Sequence, residues 1–228
     1  MLKKAVVLLS GGLDSATTLF WAKEKGFKCF CLIFDYGQRH KKEIASAKRI
    51  AKIANCEYLV IKIKLPWKGS SLLDRSMRIP KRTNAQMQKA ASLIPSTYVP
   101  ARNTIFLSFA LSYAEAIKAE AIFIGANAID FSGYPDCQKE YFQCFRRFVK
   151  KGTKAGCEGK SIKLYTPLID KTKTQIIRLG IGLGVPLGLT WSCYQGGEKP
   201  CGRCDSCQIR EKGFREAGMV DPLIKRER

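Results

Sequence analysis

The chain has 228 residues, 46% of them hydrophobic, which is enough to bury the core of one α/β domain with a small appendage. Lys and Arg outnumber Asp and Glu by 40 to 19, and the resulting formal charge of +21 favours anionic partners such as nucleotides, RNA or acidic substrates. A single histidine, His40, argues against histidine-based nucleophilic catalysis and against a multi-histidine metal site. The chain has no apolar run of about eighteen residues and no signal-peptide pattern, so we expect a cytoplasmic protein without a membrane segment.

The first part of the chain alternates strands and helices. The pattern predicts strands over Ala5–Leu9, Lys28–Phe34 and Glu57–Ile63, separated by helices over Ser15–Lys25 and Lys41–Ile53. Continuous apolar runs within these strands are typical of a parallel sheet that is covered on both faces. We therefore predict an α/β fold with a doubly wound, mostly parallel, Rossmann-like sheet.

The segment between the first strand and the first helix reads Ser10-Gly11-Gly12-Leu13-Asp14-Ser15. Adjacent glycines let the backbone N–H groups approach an anion, and the helix that follows adds the positive end of its dipole. No Lys-Ser or Lys-Thr pair follows the glycines, so this is not the mononucleotide P-loop. The segment resembles the pyrophosphate loop, SGGxDS, and the alternative is an ordinary glycine turn capped by Asp14 or Ser15. The residues predicted to bind ATP are Leu9, Ser10, Gly11, Gly12, Leu13, Asp14 and Ser15.

The alternation of strands and helices stops over residues 64–99, in the middle of the chain. Prolines and glycines interrupt this segment, and we predict a long active-site loop with a helix near Asn84–Ser92. Regular elements then resume. The pattern predicts helices over Asn103–Lys118, Glu140–Lys154 and Lys173–Leu183, a buried strand over Ala121–Ile124 and an extended segment over Ile162–Ile169.

Four cysteines near the end of the chain have the spacing C-x7-C-x2-C-x2-C, in a segment rich in turn-forming residues. Four thiolates this close can complete a tetrahedral shell around one structural zinc ion, while free thiols and an iron–sulfur cluster remain alternatives. The predicted ligands are Cys193, Cys201, Cys204 and Cys207. We accordingly divide the chain into an ATP-binding domain, residues 1–190, and a small zinc-binding segment with a tail, residues 191–228.

Several segments together resemble the 7-cyano-7-deazaguanine synthase family of queuosine biosynthesis. They are the Ser10–Ser15 loop, Asp35–His40, Val99–Asn103, Gly125–Cys137, Thr166–Leu168 and the four cysteines. The resemblance implies an adenine nucleotide alpha hydrolase-like fold and a reaction of 7-carboxy-7-deazaguanine with ammonia. ATP with Mg²⁺ would adenylate first the carboxylate and then the resulting amide. We also expect a homodimer, since this state is common, and no requirement for nucleic acid.

Roles follow for individual residues. The predicted catalytic residues are Asp14, Arg102 and Lys171. The predicted substrate-binding residues are Tyr36, Gln38, Asn103, Asn127, Asp130, Tyr134 and Asp136. Some alternatives stay open, because Asn103 can simply cap a helix and either tyrosine can be structural. His40 can move protons or can be an exposed or helix-start residue.

Two other functions compete with this interpretation. One is a pyrophosphate-loop enzyme that adenylates a tRNA base before adding sulfur or an amine, which the positive charge favours. Against it, the sequence has no evident RNA-binding domain and no clear catalytic cysteine pair outside the zinc set. The other is a zinc-containing nucleic-acid-binding module without catalysis, which leaves the phosphate loop without a purpose.

Overall fold

Five parallel strands form one sheet in the computed structural model, which describes residues 2–81, 86, 93–127 and 133–225. The strands are β1 (Lys4–Leu8), β2 (Lys28–Asp35), β3 (Glu57–Lys62), β4 (Ala121–Phe123) and β5 (Lys163–Tyr165). The sheet order is β3-β2-β1-β4-β5, and Val6 on β1 pairs with Phe30 on β2 and with Ile122 on β4.

Helices cover both faces of this sheet. The described helices are α1 (Leu13–Glu24), α2 (Lys42–Ile53), α3 (Arg102–Ala116), α4 (Lys139–Gly152), α5 (Lys154–Cys157), α6 (Lys173–Gly182), α7 (Asp205–Glu216) and α8 (Pro222–Lys225). Along β1, Val7 points into a core formed with α1, α2 and α6, whereas Val6 points into a second core formed with α3 and α4. The alternation follows from the two-residue period of a strand, and it explains why the strands are apolar on both sides.

The predicted doubly wound parallel sheet is confirmed, with one shortened element. The segment predicted to be extended over Ile162–Ile169 pairs only over Lys163–Tyr165. Beyond it the chain turns, with Ile169 N–H donating to the Thr166 carbonyl and Lys171 N–H to the Leu168 carbonyl. The helix predicted near 84–92 lies largely outside the described residues, and the domain boundary at residue 190 stays a prediction. Over the described ranges, no helix combines the length and apolar character needed to cross a membrane.

The order of the strands fixes where a ligand can bind. The chain moves outward from β1 to β3 and then returns to β4 on the other side of β1. Loops that leave the carboxyl ends of β1 and β4 therefore separate in opposite directions and open a crevice, the usual ligand site of such sheets. The Ser10–Ser15 loop follows β1, and Gly125–Asn127 follows β4.

Candidate active site

A cavity of about 230 Å³ lies at this switch point. It is lined by the loop after β1, the first turn of α3, the end of β4, and residues from the four-cysteine segment. Most of the residues predicted to bind ATP, to bind substrate or to act in catalysis meet there, namely Leu9, Ser10, Gly12, Leu13, Asp14, Ser15, Tyr36, Arg102, Asn103, Asn127 and Tyr134.

The Ser10–Ser15 loop passes very close to α2. Gly11 has a φ of +86°, and a Cβ there would lie 2.2 Å from the Glu43 carbonyl oxygen. Gly12 is the N-cap of α1, and no side chain caps the helix. The glycine turn capped by Asp14 or Ser15 is thus wrong, since the Ser15 hydroxyl donates to the Gly12 carbonyl at 3.1 Å. An uncapped helix start with serine hydroxyls beside it suits an anion.

Asp14 forms an ion pair with a lysine that the sequence did not single out. Both its carboxylate oxygens contact Lys173 Nζ, at 2.7 and 2.8 Å, and both side chains are largely buried. Lys173 is the first residue of α6, after the capping residue Thr172, and it lines the cavity. The predicted catalytic residue Lys171 does not belong to the lining; its carbonyl accepts from Asn127 Nδ2 at 2.5 Å. A catalytic role for Lys171 stays a prediction.

Aromatic rings and a guanidinium form another part of the cavity. Arg102 Nη1 donates to the Tyr36 hydroxyl at 3.0 Å, and the Arg102 guanidinium lies 5.7 Å from the centre of the Tyr36 ring. Phe106 stacks on Phe34 with ring centres 4.0 Å apart. Burial raises the pKa of Tyr36 to about 12, so its phenol stays neutral. The result is a cationic group beside flat apolar surfaces, an arrangement that suits a heterocycle carrying an anionic substituent.

Asp136 contacts the start of α3. Its carboxylate accepts from the backbone N–H of Asn103 at 3.0 Å, and the Asn103 side chain donates to the Asp136 carbonyl at 2.9 Å. The N-cap of α3 is Ala101, so Asn103 as a plain helix cap is wrong. Burial raises the pKa of Asp136, although the Asn103 N–H opposes this shift. Asp136 is absent from the cavity lining, and its predicted substrate contact is untested.

Two other predicted substrate ligands have different outcomes. Tyr134 lines the cavity, and its hydroxyl lies 2.6 Å from Thr97 Oγ1. Asp130 lies outside the described residues.

Gln38, Glu43 and His40 are joined by hydrogen bonds. Gln38 Oε1 accepts from the Tyr36 N–H at 2.8 Å, and Gln38 Nε2 donates to Glu43 Oε1 at 2.9 Å. Gln38 is buried outside the cavity lining, so its predicted substrate contact stays a prediction. His40 precedes α2 and lines the cavity, with Nε2 3.1 Å from Glu43 Oε2. Its side chain is only 4% exposed, so the exposed alternative is wrong, whereas the helix-start position is correct.

The four predicted metal ligands converge. The sulfur atoms of Cys193, Cys201, Cys204 and Cys207 all lie within 4.8 Å of one another. Those of Cys201 and Cys207 are 4.0 Å apart, against about 3.8 Å for tetrahedral ligands at a metal–sulfur distance of about 2.3 Å. The Cys201 N–H donates to Cys193 Sγ, and the Cys204 N–H to Cys201 Sγ, which stabilises thiolates. The residues therefore fit a closed four-thiolate metal centre.

The cysteine segment is attached to the phosphate loop through Trp191. The Trp191 backbone N–H donates to the Gly11 carbonyl at 2.9 Å, and its indole N–H donates to the Cys193 carbonyl at 3.0 Å. Arg210, which is also buried, donates to Thr190 Oγ1 and forms a two-bond ion pair with Asp221. Sequence reasoning missed these residues, because no spacing pattern marks a contact between distant parts of a chain.

Solved structures with the same fold include an NMN synthetase from Francisella tularensis, with a TM-score of 0.51 and 18% identity over 99% of this chain and 82% of that chain. Another is a 4-thiouridine synthetase in a complex with RNA and bound ATP, with a TM-score of 0.50 and 17% identity over 99% of this chain and 53% of that chain. At these identities the likeness shows the fold alone.

Sequence relatives are much closer. A protein from Thermosynechococcus vestitus named 7-cyano-7-deazaguanine synthase is 52% identical over 223 residues, covering 97% of this chain and 95% of its own length. Proteins of the same name from Desulfatibacillum aliphaticivorans and Thermoplasma volcanium are 54% and 51% identical, covering 96% and 98% of this chain and 95% and 91% of their own lengths. The sequence model of the family described as queuosine biosynthesis protein QueC matches residues 4–218. The chain belongs to this family.

Proposed function

We propose that this enzyme converts 7-carboxy-7-deazaguanine and ammonia into 7-cyano-7-deazaguanine at the expense of ATP. The observation that carries the proposal is one cavity that combines an uncapped phosphate loop with an aromatic and cationic wall. The full-length similarity to proteins named 7-cyano-7-deazaguanine synthase supports it.

The chemistry requires two activations of one carbon atom. A carboxylate is a poor electrophile, and adenylation turns one of its oxygens into part of a leaving group. Ammonia then displaces AMP and gives the amide. A second adenylation, now on the amide oxygen, lets AMP leave again and gives the nitrile. One loop that holds the pyrophosphate of ATP can serve both rounds.

The phosphate loop and two cationic side chains would contact different parts of ATP. The uncapped start of α1, with Ser10 and Ser15, would hold the pyrophosphate. Lys173 and Arg102 would offset the charge that develops during adenylyl transfer, and Asp14 would hold Lys173 in place. Mg²⁺ would be held chiefly by the phosphates themselves, because both Asp14 oxygens already contact Lys173.

The aromatic wall would hold the deazaguanine. Tyr36 and Tyr134, which line the cavity, would contact the flat ring, and Asn127 at the end of β4 would contact its polar edge. Direct contacts from Gln38, Asp130 and Asp136, and a catalytic role for Lys171, remain predictions of the sequence.

We also propose that the metal in the cysteine centre is zinc. Four thiolates and no open ligand position match a structural zinc site. A multi-iron cluster would need its cysteines further apart, because iron and sulfide atoms lie between them. We infer further that residues 191–228 form the zinc-binding unit, and that the enzyme is a cytoplasmic homodimer that acts without nucleic acid.

The test incubates purified protein with ATP, Mg²⁺, ammonium and 7-carboxy-7-deazaguanine and measures nitrile and AMP by mass spectrometry. We expect nitrile with two AMP for each molecule formed, and none with Asp14→Ala. The same protein and ATP with unmodified tRNA serve as the comparison. Base modification there, without nitrile from the free acid, would overturn the proposal in favour of a tRNA-modifying enzyme.

A further inference from the structure

His40 has an unpaired ring nitrogen at the active site. Its Nε2 atom faces Glu43 Oε2 at 3.1 Å, and Nε2 must be the donor because a carboxylate only accepts. In the neutral ring this arrangement leaves the lone pair on Nδ1. That atom is buried and has no hydrogen-bond partner among the described residues, although His40 lines the cavity. A buried acceptor without a donor is costly, and an incoming ligand is one way to satisfy it.

Hydrogen bonds hold in place each of the side chains that orient His40. Glu43 receives the His40 bond on one oxygen and the Gln38 bond on the other, so both carboxylate oxygens are held. Gln38 is itself fixed by the Tyr36 N–H and by the Phe34 carbonyl at the end of β2. The sheet thus sets the Gln38 amide, which orients the carboxylate, which orients the imidazole. A base held by a carboxylate that is held in turn by other groups is the arrangement of catalytic dyads and triads.

We propose that His40 is the general base of the nitrogen-transfer steps, an inference that rests on the proposed function. In the first round the ammonia nitrogen bonds to the acyl carbon, the bond from that carbon to the AMP oxygen breaks, and His40 Nδ1 takes a proton from nitrogen. Before the second round His40 releases that proton to solvent. The amide oxygen then takes the second AMP and its nitrogen loses one proton to solvent, which leaves a carbon–nitrogen double bond and one N–H. That N–H bond breaks toward His40 Nδ1, its electron pair forms the third carbon–nitrogen bond, and the bond from carbon to the AMP oxygen breaks.

The two halves of the reaction separate this role from a structural one. Adenylation of the carboxylate releases no proton from nitrogen, so it does not require the base. It can be measured without ammonia, as exchange of labelled pyrophosphate into ATP that depends on 7-carboxy-7-deazaguanine. The variants are His40→Gln, Glu43→Gln and, as a matched control on the exposed neighbouring residue, Lys41→Gln.

For His40→Gln we expect exchange within about threefold of the unaltered enzyme and nitrile formation lower by about 10²-fold or more. Glu43→Gln should show the same split with a smaller loss, and Lys41→Gln should change neither rate. Equal losses of exchange and nitrile in His40→Gln would make the residue structural, and unchanged nitrile formation would exclude it from catalysis. Absence of both activities in the unaltered enzyme would instead refute the proposed function itself.

Discussion

Replacing Gly11 by alanine tests how the phosphate loop is built. Two costs add at this position. The left-handed φ of +86° is unfavourable for a residue with a Cβ, by about 1–2 kcal/mol. The new Cβ would also lie 2.2 Å from the Glu43 carbonyl oxygen and 2.7 Å from the Ala47 nitrogen. Both are backbone atoms of α2, which cannot rotate aside as a side chain can.

Gly26 separates the two costs. Its φ is +80°, close to that of Gly11, but a Cβ there meets no described atom within 4 Å. Gly26→Ala should therefore cost only the conformational term. Overpacking should make Gly11→Ala about 2 kcal/mol more destabilising than this control. In a chain of this size the difference corresponds to a Tm lower by a further 4–8 °C or so.

Thermal and urea unfolding, followed by circular dichroism, measure both variants against the unaltered protein. We also expect Gly11→Ala to lose nitrile formation, since α2 and the loop must move apart, and Gly26→Ala to keep it. Equal Tm values for the two alanine variants would refute the close approach of the loop to α2.

Three further results are expected. Asp14→Asn removes the charge that faces the buried Lys173 ammonium, so nitrile formation should fall by about 10²-fold or more while circular dichroism stays unchanged; a loss below fivefold would contradict the role of the pair. Purified protein should contain one zinc ion per chain when measured by plasma mass spectrometry. The Cys207→Ser variant, which lacks one thiolate, should contain clearly less zinc, and equal zinc contents would disprove the site. Arg210→Met leaves the Asp221 carboxylate buried without its ion pair, so the free energy of unfolding measured in urea should fall by about 3–5 kcal/mol. The double variant Arg210→Met/Asp221→Leu should recover part of this loss, and a loss below about 1 kcal/mol in the single variant would contradict the reasoning.

The sheet and the phosphate loop could be predicted because their signals are local. Apolar runs such as Cys29–Phe34 record burial on both faces, and the loop shows its two glycines between a strand and a helix. The cysteine cluster is local too, since Cys201, Cys204 and Cys207 are each three residues apart. In these cases the residues that form the feature are close in sequence, so the feature can be predicted without knowing contacts between distant parts of the chain.

The position of Lys173 beside Asp14 is harder to predict, although the sequence contains a clue. Thr172 and Gln175 form a capping box, in which each side chain bonds the other residue's backbone N–H. This fixes Lys173 as the first residue of α6, facing Asp14, and leaves Lys171 before the helix. The burial of His40 left no such trace, because it depends on the packing of the four-cysteine segment against the loop before α2.

That packing connects the cysteine cluster with the phosphate loop. A turn-rich segment with few apolar residues would gain much of its order from a bound metal. Once ordered, it contacts the active site at two places. Trp191 bonds the Gly11 carbonyl, and Gly196 lies so close to Arg39 that a Cβ would be 2.6 Å from the Arg39 carbonyl oxygen. The four-cysteine segment thus contacts both the loop that would hold pyrophosphate and the segment that carries His40, so its order would affect the candidate active site.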